Sequence, residues 1–267
     1  MAALRDVVYG AAIGDALGVP YEFKERGTFE CTDMVSGGSH GQPAGTFSDD
    51  TSMMLATCDS IRELGRIDCD DMRKRFCTWA YEGKYTPDGV MFDIGNATSR
   101  ALAEGRGCAD VRSNGNGSLM RIAPLACIDA TDDQIRAVSA ITHAHGISTE
   151  SCVAYVHVLR DVLVGRSVAE ATDGVAVHDF AFMPDVSIDE IKSGGYVLDT
   201  LNAALWCLRN TSSYAACVLA AVNLGRDTDT TACVAGALAG AAYGIDAIPS
   251  EWMDALRAKD IIEACLF

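Results

Sequence analysis

Residues 48–65 read SDDTSMMLATCDSIRELG, and this stretch decides the fold class. Met53, Met54, Thr57, Ile61 and Leu64 recur at helical spacing on one face, and Gly65 follows as a stop. Working outward, Met72, Phe76, Trp79 and Ala80 repeat the pattern before Gly83, and Val153, Val156, Leu159 and Leu163 repeat it before Gly165. Helix starts are marked as well. Thr131 with Gln134, Ser167 with Glu170 and Ser187 with Glu190 fit the capping box, in which side chains satisfy orphan N–H groups reciprocally. Ser250 is a candidate cap for a helix running through Leu256. The one extended piece, Val175 to Phe180, has no partner strand and cannot build a sheet. The expectation is an all-α protein, a compact orthogonal multi-helix globular domain spanning 1–267. With helices averaging about 12 residues it should hold roughly ten or more of them.

Composition narrows the class further. A 49% hydrophobic and 22% charged chain has the balance of a soluble globular protein, and six prolines leave no linker. The net charge of -16 repels phosphate backbones and anionic lipid, so neither nucleic acid nor a membrane is an expected partner. The eleven cysteines form no C-x-x-C pair and sit within helical patterns, as Cys58, Cys77, Cys152, Cys217 and Cys233 do. They behave there as small apolar residues, which favours a reducing compartment and a cytoplasmic location. The N-terminus lacks a basic stretch followed by an apolar core, so no signal peptide is expected. The small-apolar run from Ala232 to Ile245 is too short for a bilayer and reads as a tightly packed buried helix. A monomer is expected.

Two stretches break the helical rhythm, Ser36 to Asp50 and Val111 to Ser118, both rich in Gly, Ser, Asn and Asp. Such loops expose backbone N–H groups and commonly carry function. Ser48-Asp49-Asp50-Thr51 opens one helix and Asp227-Thr228-Asp229-Thr230 opens another. Either alone reads as an acidic first turn that favours the helix dipole. Together they offer four carboxylates and the Ser48 and Thr230 hydroxyls. That is the oxygen set a hard cation such as Mg²⁺ takes, and thiols or imidazoles would not serve it. If the two helix starts meet, four such carboxylates would not all stay ionised, because like charges raise each other's pKa. Two divalent ions about 3.5–4 Å apart would neutralise them and make a di-metal cleft.

These residues and their neighbours resemble the ADP-ribosylglycohydrolase family over most of the chain. The resemblance is carried by Gly10 to Gly18 (GAAIGDALG), Pro20-Tyr21-Glu22-Phe23, and Phe47-Ser48-Asp49-Asp50-Thr51. It continues through Asp93-Ile94-Gly95-Asn96, Gly115-Asn116-Gly117-Ser118-Leu119-Met120-Arg121, Thr142-His143 and Asp227-Thr228-Asp229-Thr230. It implies an all-α fold and two divalent cations, Mg²⁺ or Mn²⁺, held by Ser48, Asp49, Asp50, Asp227, Asp229 and Thr230. It implies catalytic roles for Glu22, Asp50 and Asp93. Gly95, Met120, His143 and the segment Ser113, Asn114, Gly115, Asn116, Gly117 and Ser118 would bind substrate. The partner would be an ADP-ribosylated protein or a small-molecule ADP-ribose conjugate.

The implied reaction is hydrolysis of the C1″ glycosidic bond through an oxocarbenium-like transition state, with Glu22 handling a proton. Asp93 would hold a guanidinium leaving group by charge-assisted hydrogen bonds, which points to arginine. The Asn114–Gly117 backbone would approach the pyrophosphate and offer a nest of N–H groups. Each role has a structural alternative. The alternatives are Glu22 as a surface acid, Asp93 as the N-cap of a helix from Ile94 to Glu104, and His143 as a core histidine with His145 in its place. The departures concern substrate: Arg226 stands where the family often has Gly, Ser48 where it often has Thr, and Asp173 to Ile191 matches nothing in the family. The alternative functions are hydrolysis of a serine, O-acetyl or nucleic-acid-base linkage, or a non-catalytic structural role.

Overall fold

In the computed structural model, which describes residues 2–267, twelve α-helices appear among the described residues. The helix that organises the others is α1 (Ala2–Gly18), buried from Val7 to its end. Its partner is α10 (Thr228–Tyr243), buried from Thr228 through Gly240. Gly10, Gly14 and Gly18 make a stripe at four-residue spacing on α1, and Ala232, Gly236 and Gly240 make its counterpart on α10. A Cβ added at Gly14 would lie 2.0 Å from the Ala232 carbonyl oxygen, and one at Gly18 would lie 2.3 Å from the Asp229 Cα. The backbones therefore meet where side chains would ordinarily stand. The pairing runs Gly10 to Gly236, Gly14 to Ala232 and Gly18 to Asp229, so the helices are antiparallel. That direction brings the N-terminus of α10 to the C-terminal end of α1.

The decisive stretch forms α2 (Asp49–Leu64), capped by the Ser48 side chain and stopped by Gly65 at φ 63°. Asp15 of α1 accepts from the Ser48 N–H at 3.0 Å, from the Thr51 N–H at 3.1 Å and from the Thr51 hydroxyl at 2.6 Å. One carboxylate thus fixes the first turn of α2 against α1, close to the start of α10.

Around this triple junction pack α3 (Cys69–Glu82), α4 (Asn96–Glu104), α5 (Asp132–Ala140), α6 (Gly146–Leu163) and α7 (Val168–Thr172). They are joined by α8 (Val197–Arg209), α9 (Tyr214–Asn223), α11 (Ser250–Ala255) and α12 (Lys259–Cys265). The expected capping boxes form at Thr131 and Ser167, and the one at Ser187 opens a single 3₁₀ turn, Ile188–Glu190. Two start signals are corrected. Ser250 is already inside α11, whose cap position is Pro249, and its hydroxyl bonds Glu251 instead. The Ile94 helix begins two residues later than expected, with Gly95 at its cap, so Asp93 is not a cap.

The extended piece at 175–180 does find a partner. Ala176–Val177 (β1) pairs antiparallel with Phe180–Ala181 (β2), and His178 at φ 52° helps turn the chain between them. Four residues folded back on themselves leave the all-α class intact. All eleven cysteines are free thiols. Among the described residues no helix is long and apolar enough to cross a membrane.

Candidate active site

The two acidic helix starts meet. Asp15, Asp50 and Asp229 place one carboxylate oxygen each within 4.8 Å of one another, and Glu22, Asp227 and Asp229 form a second such group. Glu22 arrives because α1 ends at Gly18 and a 3₁₀ turn, Val19–Tyr21, leads straight into it. Ser48 donates to Asp50 Oδ2 at 2.8 Å, and the Thr230 hydroxyl lies 3.4 Å from the same oxygen. The other oxygen, Asp50 Oδ1, is buried with no hydrogen-bond partner. An orphaned carboxylate oxygen inside a cage of carboxylates and hydroxyls is costly in apolar surroundings and suits a hard cation. The donor set passes that test.

Electrostatics agree with the geometry. Burial, with Asp15, Asp49 and Asp227 close by, holds the Asp50 carboxyl well above the usual carboxylate range. Asp49 and Asp229 are raised in the same way, burial first and neighbouring carboxylates second. Asp15 is pushed up to about 6 by burial, against the Thr51 and Ser48 hydrogen bonds that favour its charged form. Glu22 is pushed up to about 9 by burial and then by Asp93, Asp227 and Asp49. Asp227 is raised by burial too, opposed by the Asn116 amide, which donates to its Oδ2 at 2.9 Å.

Above this cluster opens a cavity of about 730 Å³. Of the expected residues, Glu22, Asp49, Asp93, Gly95, Ser113, Gly115, Asn116, Gly117, Met120, His143, Asp227 and Thr230 line it. Ser48, Asp50 and Asp229 lie beneath, buried in the oxygen cage. Asn114 and Ser118 do not reach the cavity. The Asn114 side chain is spent on Ser148 and the Val111 carbonyl, and Ser118 bonds Ser139 at 2.9 Å in the interior. They support the loop and do not touch its contents.

The Gly-Asn-Gly loop differs from the expected nest. Neither Gly115 nor Gly117 has a positive φ, and the Asn116 N–H donates to the Gly195 carbonyl at 3.1 Å. The residues before α8 thus brace the loop from outside, with Val197 N–H donating to the Asn114 carbonyl. Gly117 is required for another reason: a Cβ there would sit 2.9 Å from His143 Cε1. His143 is buried, its Nδ1 is 2.8 Å from the Thr142 hydroxyl, and burial beside Arg121 lowers its pKa to about 3. It is a neutral imidazole on the cavity wall, and His145 caps α6 instead of taking its place.

Sequence reasoning passed over several residues. Asp15 lay inside a quoted motif without a role, although an acid within an apolar helix is itself a signal. His40 binds Glu22 through Nε2 at 2.5 Å. The first turn of α4 adds Asn96, Ala97 and Thr98 to the cavity wall, and Arg112, Gly194 and Gly195 join them. Helix-start N–H groups without intrahelical partners are suited to anions. Arg226 does stand at the mouth, where it pairs with Glu25 at 3.1 Å.

An all-α protein with a caged cluster of acids under a large cavity has a site suited to metal-assisted chemistry, and comparison with known proteins supplies the class and the family. The family model described as ADP-ribosylglycohydrolase matches residues 2–266, and the chain belongs to that family. It is 35% identical to the ADP-ribosylarginine hydrolase Tri1 of Pseudomonas putida (strain GB-1), covering 94% of this chain and 73% of that protein. It is 32% identical to the ADP-ribosyl-[dinitrogen reductase] glycohydrolase of Rhodospirillum rubrum, covering 94% and 88%. Among solved structures, one titled ADP-ribosylglycohydrolase-related protein complex superimposes with a TM-score of 0.82 at 31% identity, covering 99% of this chain and 95% of that one.

Proposed function

We propose that this enzyme is a metal-dependent ADP-ribosyl hydrolase that cleaves the C1″–N bond of ADP-ribosyl-arginine in proteins and releases ADP-ribose. The observation that carries the reading is the orphaned Asp50 Oδ1 within the cage of Asp15, Asp49, Asp227, Asp229 and Glu22. Ser48, Asp49, Asp50, Asp227, Asp229 and Thr230 would hold two divalent cations, Mg²⁺ or Mn²⁺. When bound, such ions neutralise the carboxylates, orient the ribose hydroxyls and lower the pKa of water.

The residues of the chain do the rest. With the cage neutralised, Glu22 is an ionised base that accepts a proton from the attacking water. The water oxygen bonds to C1″ as the C1″–N bond breaks, and the guanidine leaves neutral. Glu22 then returns the proton to the departing nitrogen, so the enzyme ends as it began. Asp93, on the cavity wall beside Glu22, would hold the guanidinium by charge-assisted hydrogen bonds. The α4 N-terminus and the Gly115–Gly117 loop face the same space, where they would take the pyrophosphate. Met120 and neutral His143 complete the wall without bringing a charge that would compete for the phosphates.

The arginine assignment is favoured by Glu22 and Asp93 standing close together at the cavity, which suits a bound guanidinium, whereas Glu25 is already paired with Arg226. The test is Asp227→Ala, with circular dichroism to confirm folding and chromatography to identify products from ADP-ribosyl-arginine in Mg²⁺. ADP-ribose release should fall by about a thousandfold, on the scale of losing a principal electrostatic group. Release equal to wild type would end the metal reading. AMP as the product would replace glycoside hydrolysis with phosphohydrolysis.

A further inference from the structure

We propose that Phe23, backed by His40 and Phe92, is the specificity-determining wall that selects a planar cationic acceptor group. The inference rests on the arginine reading above and says what enforces it. Phe23 follows Glu22 directly and lines the cavity, yet its side chain is 66% exposed. No core contact requires a ring there. Its backbone is at φ 69°, an unusual and strained position for a residue with a Cβ.

That conformation is held from both sides. The Phe23 N–H donates to the Arg226 carbonyl at 2.7 Å, and the Arg226 N–H donates to the Lys24 carbonyl at 2.7 Å. Arg226 is itself at φ 65°, so two facing segments are locked together in unusual backbone states. Gly225 lets them close, since a Cβ there would lie 2.6 Å from the Arg26 nitrogen. Strain that the surroundings over-determine in this way belongs to functional sites. Its product here is an aromatic ring presented beside the reacting centre.

The neighbours give the ring its chemistry. The Phe23 ring centroid is 5.8 Å from that of His40, and His40 is 5.2 Å from Phe92. His40 also bonds Glu22, and ligand atoms of Glu22, His40 and Asp93 lie within 4.8 Å of one another. Aromatic faces next to carboxylates are what a guanidinium recognises, by stacking its plane on the ring and directing its N–H groups to the acids. A serine linkage or an acetyl ester has neither the positive charge nor the N–H donors. The α4 start and the Gly-Asn-Gly loop, which line the same cavity, remain for the nucleotide part.

Phe23→Leu keeps apolar bulk and removes the π face, and Phe23→Tyr restores it. The readouts are kcat and KM on ADP-ribosyl-agmatine and the Ki of free ADP-ribose, which lacks the acceptor. Phe23→Leu should lower kcat/KM about fivefold to tenfold, mainly through KM, the scale of one partly desolvated cation–π contact. The Ki of ADP-ribose should change less than about twofold, and Phe23→Tyr should recover most of the loss. A parallel rise in the ADP-ribose Ki, or a Phe23→Leu enzyme as good as wild type, overturns the inference alone. A wild-type enzyme that releases no ADP-ribose from the agmatine conjugate sinks the arginine reading and this inference with it.

Discussion

Metal-free protein should lose stability as pH rises through neutrality, and Mg²⁺ or Mn²⁺ should abolish that loss. The sign follows from the carboxyls of the cage. Glu22 is pushed from its ordinary 4.5 up to about 9, and Asp49, Asp50 and Asp229 move the same way. In the unfolded chain these groups ionise near pH 4, so between that pH and their folded pKa the native state binds more protons. Stability then falls with rising pH. His143 works in the opposite sense at low pH: with a folded pKa of about 3, its contribution is complete above about 6.5 and is lost as pH drops below that. The window that isolates the carboxyls therefore lies above pH 6.5. One retained proton corresponds to about 1.4 kcal/mol per pH unit, so from pH 6.5 to 8 Glu22 alone accounts for about 2 kcal/mol. At about 2 °C per kcal/mol for a chain of this size, Tm should drop by about 4 °C, and the caged aspartates can only deepen the fall. The assay is differential scanning calorimetry across this range in chelator and in saturating Mg²⁺. Surface ion pairs and the overall negative charge contribute to both series, so the difference between the two slopes belongs to the cage. Parallel curves would refute the reasoning.

Two further outcomes test the frame and the cavity wall. Gly14→Val should cost about 3 kcal/mol or more in urea denaturation, because the new Cβ would lie 2.0 Å from a backbone oxygen of α10; a loss below about 1 kcal/mol would mean that the two helices do not meet there. The ring signals of His143 should not titrate between about pH 5 and 8 in nuclear magnetic resonance spectra, since burial and Arg121 keep the imidazole neutral; a midpoint near 6.5 would put that ring in water.

What the sequence reveals about this molecule divides by distance along the chain. Helix faces, glycine stops and the capping boxes at Thr131 and Ser167 are local, and they are legible because each is decided within one or two turns. The misplaced starts at Asp93 and Ser250 show the limit of that approach: several residue types can cap, and only the backbone path selects one. The hairpin at 176–181 was missed as a pair because its two strands are two residues each, too short for periodicity to register. In the site, the meeting acids were legible as two acid-plus-hydroxyl clusters at helix starts. Asp15 was not, since its meaning depends on the cap of α2, Ser48, lying 33 residues later and docking the first turn there. His40 is a lone histidine in a loop until the chain brings it to Glu22.

The same geometry explains why the cage stands at this end of the fold. Close approach of α1 and α10 requires small residues along both, which leaves the pair poor in side-chain interactions of its own. At the junction the N-terminal ends of α2 and α10 bring the positive ends of two helix dipoles to one place, partly offset by the C-terminal end of α1, and so favour carboxylates there. Two dipole ends can favour one or two negative charges, but five or six acids exceed what they can neutralise, and the raised pKa values of Asp49, Asp50 and Asp229 record the excess. The surplus carboxylates are thus a cost to the fold in the absence of a counter-charge. A stability-driven sequence would replace Asp50 with a neutral residue that could still accept from Ser48. On the proposed reading the Asp50 carboxylate, with one oxygen unpartnered, serves a bound cation, so Asp50→Asn should stabilise the metal-free protein while removing its activity.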